Sequence, residues 1–172
     1  AQRRSEIFLE GGEIKRELAS TALTIYARHS SPKAFKQIQV IFEAETDIFR
    51  RGVLRRALAS FSNEELIEPL ISYAFSDALR DNERESFIFA PNRNHQTREL
   101  AWKTVKERLS EIRALLPSHS TKYLPYLLSS HCSQKALSEL TDVFEPWING
   151  PEENRVDGLD RHVSATRNKL ER

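Results

Sequence analysis

The sequence is poor in cysteine. Cys132 is the single cysteine among 172 residues, which excludes an internal disulfide framework and a zinc site built from four cysteines. His131 precedes it directly, but neighbours in sequence at a helix end do not face each other. Activation of a thiolate also requires a third, orienting group. We therefore predict that Cys132 is not a catalytic nucleophile.

Methionine and long apolar runs are absent as well. No stretch approaches the roughly 20 apolar residues that a helix needs to cross a bilayer, and no signal-peptide pattern is visible. The chain begins at Ala1 rather than at methionine, so we expect a processed protein or a piece cut from a longer one. If the chain is a piece of a longer protein, the missing signal peptide does not identify its cellular compartment.

The chain also lacks an excess of positive charge. The chain has 26 Lys and Arg residues and 25 Asp and Glu residues, which gives a formal net charge of +1. Nucleic-acid-binding domains usually carry a clear basic surplus. We therefore expect no nucleic-acid partner, and the charge balance weighs against a helical repeat that binds alkylated DNA.

The densest basic cluster is a group of four arginines on one predicted helix: Arg50, Arg51, Arg55 and Arg56. One interpretation is contact with phosphate or with an acidic partner. The other is a solvated helix face. The opposite face would carry the apolar residues of this segment, which are Phe49, Val53, Ala57 and Leu58. We favour the solvated face.

Glycine and proline are scarce, with 5 and 7 residues, and the alternation typical of strands is missing. Apolar residues instead recur at helical spacing. Trp102, Val105, Leu109, Ile112 and Leu116 are one such stripe. The pattern predicts helices near residues 10–28, 32–44, 47–61, 63–79, 97–115, 121–130, 133–148 and 153–171, with a shorter one near 83–90. Pro69 and Pro146 are expected to kink or end their helices.

The predicted helices follow each other in pairs with short connections, and an internal repeat of about 35 residues is visible. Leu18, Ala22, Leu23 and Tyr26 correspond in it to Val53, Ala57, Leu58 and Phe61. We therefore predict an all-α fold, a single helical-repeat domain over residues 1–172. Its expected architecture is a right-handed stack of antiparallel helical hairpins, a HEAT-like or ARM-like α–α superhelix.

A self-contained metal or catalytic site is not expected. None of the five histidines begins an H-E-x-x-H pattern, which would place two imidazoles on one helix face. His95 and Glu99 are four residues apart, but two ligands do not make a metal site. Gly-rich phosphate loops and G-x-S-x-G elbows are also missing.

Aromatic residues mark two further features. Trp102 and Trp147 lie on apolar stripes, and we predict that both pack in the core. Tyr123 and Tyr126 flank Pro125, which indicates an aromatic corner beside a surface groove.

Four segments resemble the C-terminal domain of M1-family zinc aminopeptidases. The segment "NRNHQTRELAWKTVKERLSEI" (92–112) is similar to a family segment in which a polar Arg-Asn turn leads into Leu-Ala-Trp. The segment "YLPYLLSSHCSQKALSELTDVFEPW" (123–147) resembles a helix that ends at a Ser-containing turn. "RVDGLDRHVSATRNKLER" (155–172) resembles the family's closing helix, and "LRRALASFSNEELIEPLISYAFSD" (54–77) an earlier helical hairpin. Together the segments extend the resemblance over residues 12–172.

The resemblance implies a non-catalytic domain. In the family, such stacks of HEAT-like hairpins follow a catalytic thermolysin-like domain, close over it and wall the chamber that holds the peptide. The zinc motif, the third zinc ligand and the G-A-M-E-N motif belong to that catalytic domain. The resemblance thus implies no catalytic residue, metal or cofactor in this chain, and zinc in the parent enzyme. The implied partners are the catalytic domain of the same polypeptide and the peptide substrate.

Arg93 is the one site residue that the resemblance carries over. It matches a loop arginine that faces the chamber in several relatives, where its planar, permanently charged guanidinium can pair with a peptide carboxylate. This sequence departs from the family pattern with His95 in place of proline and Asn92 before the arginine. A solvated or salt-bridged loop arginine is the alternative.

A second hypothesis comes from another class of protein. The chain can be a free-standing helical-repeat adaptor that binds a protein partner on its concave face. An H-E-x-x-H motif upstream in the encoding reading frame would favour the aminopeptidase domain, and a start codon just before Ala1 would favour the adaptor.

Overall fold

A computed structural model describes residues 1–131 and 133–171, without the side chain of Glu153. This part of the chain forms eleven α-helices and four short 3₁₀ helices, and contains no strand. The all-α prediction is therefore confirmed. The right-handed superhelical stacking stays a prediction.

The chain divides into two compact units, Ala1–Ala101 and Trp102–Arg172. The helices of the first unit are α1 (Gln2–Leu9), α2 (Arg16–Arg28), α3 (Pro32–Ala44), α4 (Ile48–Leu58), α5 (Ile67–Tyr73) and α6 (Asp81–Phe89), with 3₁₀ helices at Glu64–Leu66 and Pro91–Arg93. Helix α7 (Arg98–Glu107) contains the boundary. The second unit holds α8 (Leu109–Leu115), α9 (Ser118–Thr121), α10 (Gln134–Asn149) and α11 (Leu159–Leu170), with 3₁₀ helices at Leu124–Leu128 and Glu152–Asn154.

In the first unit, α4 is the central packing element. It contacts α2, α3 and α6, and α2 in turn packs on α1. The contact between α2 and α4 joins the two segments of the internal repeat, and Ala22, Leu23, Ala57 and Leu58 are buried there. The apolar spacing of the repeat therefore marks two helix faces that belong to one core.

In the second unit, α10 and α11 pack against each other and both contact the 3₁₀ helix Leu124–Leu128. The fully buried side chains here include Leu124, Leu128, Leu140, Phe144 and Leu159. Each comes from an apolar stripe that would be exposed on an isolated helix, so burial against its neighbours holds the unit together.

Helix α1 was missed by the sequence prediction, which began its first helix near residue 10. The segment has one buried aromatic residue, Phe8, and its other buried residue is Ser5. One buried apolar residue in a helix of two turns does not produce a recognisable helical periodicity. The helix is held by tertiary contacts, since the Arg50 guanidinium stacks on the Phe8 ring at 4.2 Å and donates to the Phe8 carbonyl at 2.7 Å.

The two prolines differ in their effect on the helices. Pro69 lies in the first turn of α5, where its missing N–H would have no helical partner anyway. The single helix expected at 63–79 is therefore a 3₁₀ turn followed by α5, which ends at Tyr73. Pro146 lies inside α10, which continues past it for less than one turn and ends at Asn149.

Three other predicted helices are wrong in extent. The helix expected at 97–115 is interrupted at Arg108, and the one at 121–130 is a 3₁₀ helix over Leu124–Leu128. The last helix begins at Leu159 rather than near 153, because Gly158 before it adopts φ +72°. That left-handed backbone cannot continue a right-handed helix, and glycine adopts it at little cost.

Candidate functional site

The turn that carries Arg93 is fixed by buried polar residues. The Asn92 side chain is 2% exposed and its Nδ2 donates to the Ile88 carbonyl at 3.0 Å. Thr97 is fully buried, and its Oγ1 donates to the Pro91 carbonyl at 3.1 Å. Buried hydrogen bonds of this kind hold a loop in one conformation. These two polar side chains therefore mainly build the turn.

Arg93 itself lies on the exposed side of this turn. Its backbone N–H donates to the Ala90 carbonyl at 3.0 Å, and no ion pair to a described residue engages its guanidinium. His95 is also exposed. The structure thus presents a charged, accessible group on a rigid support, which is the arrangement that ligand contact requires.

The arginine cluster of α4 does not form a solvated face, so that interpretation is wrong. Arg51 is only 6% exposed. Arg50 pairs with Glu45 at 2.8 Å, and Arg55 donates to the Asn82 carbonyl at 3.1 Å. Arg56 is exposed and donates to Ser20 Oγ at 2.8 Å. These contacts tie α4 to neighbouring segments and use part of the hydrogen-bonding capacity that phosphate binding would need.

Arg51 and Glu83 form a buried, two-pronged ion pair. Arg51 Nε lies 2.7 Å from Glu83 Oε1, and Nη2 lies 2.8 Å from Oε2. The remaining donors of Arg51 reach the carbonyls of Phe42 and Ala78, both at 2.9 Å. The guanidinium also stacks on the Phe42 ring at 4.1 Å. Nearly every donor of the guanidinium is therefore used inside the fold.

The pKa values of this pair follow from its contacts. The hydrogen bond with Glu83 raises the pKa of Arg51 against the opposing effect of burial. Burial alone would raise the pKa of Glu83, but hydrogen bonds from Arg51 and from the Arg80 N–H hold that pKa below its ordinary value. Both groups are charged at neutral pH, and their role is structural.

The tryptophans of the second unit differ in burial. Trp102 is 3% exposed, as expected of a core residue, and its Nε1 donates to Glu139 Oε2 at 2.6 Å. Lys106 donates to the other oxygen of Glu139 at 3.1 Å. Trp147 is half-buried, and the Arg113 guanidinium lies over its ring at 4.8 Å.

Tyr123, Tyr126 and His162 form what we call the aromatic corner. The two tyrosine rings stack with centroids 6.1 Å apart and an interplanar angle of 19°. The His162 ring meets both edge-on, at 4.8 and 5.3 Å, and its Nδ1 lies 3.0 Å from the Tyr126 hydroxyl. The tyrosine corner was predicted. His162 was missed because α11 brings it there from 36 residues away.

Positive charge surrounds this corner. Lys122 Nζ lies over the Tyr123 ring at 5.4 Å, and Lys169 Nζ over the Tyr126 ring at 5.2 Å. Burial lowers the pKa of His162, and the charges of Lys122 and Arg161 lower it further against the opposing effect of Asp160. The imidazole is therefore neutral at neutral pH, so it can donate one hydrogen bond and accept another.

The other candidates from the sequence add no functional site in the part of the chain that the structure describes. Among residues 1–131 and 133–171, no group of three or more His, Cys, Asp or Glu side chains is close enough to hold a metal ion. The interpretation of Cys132 falls outside the described residues, and the neighbouring His131 is 5% exposed. No described helix is long and apolar enough to span a membrane.

A comparison with models of protein families gives a match. A family model described as "ERAP1-like C-terminal domain" matches residues 1–172, the whole chain. This confirms the resemblance to the C-terminal domain of M1 aminopeptidases that the four sequence segments indicated. No curated protein matches the chain.

Proposed function

Because the chain belongs to the ERAP1-like C-terminal domain family, we propose that it is the non-catalytic C-terminal domain of a zinc aminopeptidase. In this proposal, residues 1–172 close over the catalytic domain of the same polypeptide and shape the chamber in which peptides lose their N-terminal residues. The match over the whole chain carries the proposal.

The contacts of three carboxylates support a non-catalytic role. The carboxylates whose pKa is held low, Glu45, Glu83 and Glu139, are all engaged by side chains of the fold. A general base needs a pKa near the working pH and access to the substrate. The zinc and the catalytic residues therefore belong to the catalytic domain in this proposal, and the isolated chain should not cleave peptides.

Arg93 is the residue that we propose for contact with the peptide. Its side chain is exposed, and the turn beneath it is held by Asn92 and Thr97. A loop already fixed in the free domain loses little conformational entropy when it binds a ligand. A guanidinium presented in this way suits the carboxylate at the end of a peptide.

Replacing Arg93 with alanine in the full-length enzyme should raise KM about tenfold for peptides long enough to reach it, since a hydrogen bond between charged groups is lost. The same peptides with amidated C-termini should show no such change. Kinetics over a series of peptide lengths would measure both effects.

Arg28→Ala is a matched control, because Arg28 is an exposed arginine at the end of α2. It should leave all kinetic constants within about twofold. Unchanged kinetics for Arg93→Ala at every length, or an equal loss with free and amidated peptides, would reject the contact.

A groove of about 670 Å³ between α1, α2 and α3 favours the adaptor hypothesis as a second candidate. It is lined by apolar residues such as Leu9, Val40 and Ile41, and by Glu10 and Lys36. Val40 is 68% exposed. The encoding reading frame separates the two functions, since an upstream H-E-x-x-H motif supports the enzyme domain and its absence supports the adaptor.

A further inference from the structure

The aromatic corner is accessible and carries a concentrated positive charge. Tyr123 is 41% exposed. Lys122, Arg161 and Lys169 form what we call the basic rim, and Arg161 and Lys169 are exposed. The chain as a whole has almost no net charge, so three cations beside an exposed tyrosine are a local departure from its average surface.

We propose that the aromatic corner and its basic rim bind an acidic segment of a separate protein partner. Carboxylates of that segment would pair with the basic rim, and an apolar side chain between them would pack on Tyr123. This surface contains none of the residues of the Arg93 turn, and the proposal does not depend on the function proposed above.

The positions of the lysines favour an acidic ligand. Each ammonium group lies over a tyrosine ring, at 5.4 Å for Lys122 and 5.2 Å for Lys169. A cation–π contact restrains a side chain that would otherwise sample many rotamers. The charges are therefore placed before a ligand arrives, which lowers the entropy lost on binding.

The hydrogen-bonding groups of His162 and Tyr126 add to this preference. Because the pKa of His162 is lowered, its neutral ring can accept a hydrogen bond from the Tyr126 hydroxyl at Nδ1 in the tautomer that carries its proton on Nε2. The Nε2–H forms no hydrogen bond to a described residue and remains a donor for a carboxylate. Asp160 raises the pKa of His162, but burial and the charges of Lys122 and Arg161 outweigh it.

Nucleic acid fits this surface less well than an acidic peptide. Sequence-tolerant binding of single strands uses free aromatic faces on which bases stack. Here the tyrosine rings stack on each other, and lysines lie over both of them. A base would have to displace a lysine, whereas a carboxylate would pair with it in place.

The character of the surface favours a separate, reversible partner. Permanent interfaces are large and mostly apolar, whereas transient ones are more polar and depend on charge. The corner offers one partly exposed aromatic ring within a charged rim. Such a surface gives rapid, salt-sensitive association rather than permanent docking.

The test uses the complete chain and a fluorescein-labelled peptide of alternating glutamate and phenylalanine. Fluorescence anisotropy should show binding that weakens as salt is raised. The double variant Lys122→Glu/Lys169→Glu should weaken it about tenfold. Lys103→Glu/Lys135→Glu reverses two other exposed lysines of the same unit and should change the affinity less than about twofold.

Further measurements distinguish a loss of binding from a loss of folding if charge reversal disturbs the structure. Lys122→Gln/Lys169→Gln removes the charges without repulsion and should give an intermediate loss, while circular dichroism verifies helical content. Absence of binding, an equal loss in the Lys103/Lys135 control, or equal binding of a lysine–phenylalanine peptide would overturn the proposal. Tighter binding of a short oligothymidylate than of the acidic peptide would also overturn it, in favour of a nucleic-acid surface.

Discussion

Replacing Arg51 with methionine should lower the free energy of unfolding by about 3–5 kcal/mol, the usual cost of removing one partner of a buried ion pair. The substitution keeps most of the side-chain volume. It leaves the Glu83 carboxylate, whose side chain is 6% exposed, without its cation. It also leaves the carbonyls of Phe42 and Ala78 without the Arg51 donors.

Urea unfolding followed by circular dichroism would measure this loss. Arg56→Met is the matched control on the same helix, because Arg56 is exposed and its side chain donates to Ser20 Oγ. It should cost less than about 1 kcal/mol. Arg51→Met/Glu83→Met should recover part of the stability, since both buried charges are then removed. Equal costs for Arg51→Met and Arg56→Met would contradict the structural role.

The same pair predicts a pH dependence. The pKa of Glu83 is lowered in the folded state, so the unfolded chain binds more protons than the folded one below about pH 4.5. The stability from the pair is therefore present above that pH and is lost as pH falls through the folded pKa. The difference between wild type and Arg51→Met should shrink in acid.

Phe144→Ala should lower stability by about 3–5 kcal/mol, the range for removing a large buried aromatic side chain. Phe144 is fully buried in the second unit. Its ring centroid lies 6.3 Å from that of Trp102 and 5.5 Å from that of Trp147. The truncation removes contacts to both tryptophans and leaves a cavity between them.

Tryptophan fluorescence during urea unfolding would report this loss directly, because the chain has just these two tryptophans. Ile48→Ala is a control for loss of apolar volume, since Ile48 is 79% exposed. It should change stability by less than about 0.5 kcal/mol. A Phe144→Ala protein as stable as Ile48→Ala would show that Phe144 is not part of the core.

Helices with a continuous apolar stripe could be predicted from the sequence. The expected helices at 32–44 and 133–148 agree with α3 and α10 to within one residue. Both have a clear start signal, Pro32 at the first turn of α3 and Ser133 before α10, where Ser133 Oγ accepts from the Ala136 N–H at 3.1 Å. Apolar periodicity and helix capping depend on residues that are close together in sequence, so both can be recognised from the sequence.

Features that depend on distant residues could not be predicted. Arg51 looks like any surface arginine until α6 places Glu83 against it, 32 residues further along the chain. His162 reaches the tyrosine pair only through the packing of α11 on the 3₁₀ helix Leu124–Leu128. Periodicity assigns a residue to a helix face, but it does not identify the residue that a polar side chain will meet.

The contacts of the polar segment before Trp102 could not be predicted from the sequence either. Nothing in the sequence marks Asn92 and Thr97 as buried residues, and the structure uses both to fix a turn. Arg93 is left exposed on it, so its contact with peptide stays a prediction for the complete enzyme.

The most direct test of the proposed function compares the parent aminopeptidase with a form that lacks residues 1–172. Cleavage of a small amino-acid substrate reports whether the shortened enzyme still folds and holds zinc. With that activity present, the proposal predicts that kcat/KM no longer depends on peptide length, because the chamber wall is gone. A shortened enzyme that cleaves the small substrate and keeps the length profile of the parent would contradict it.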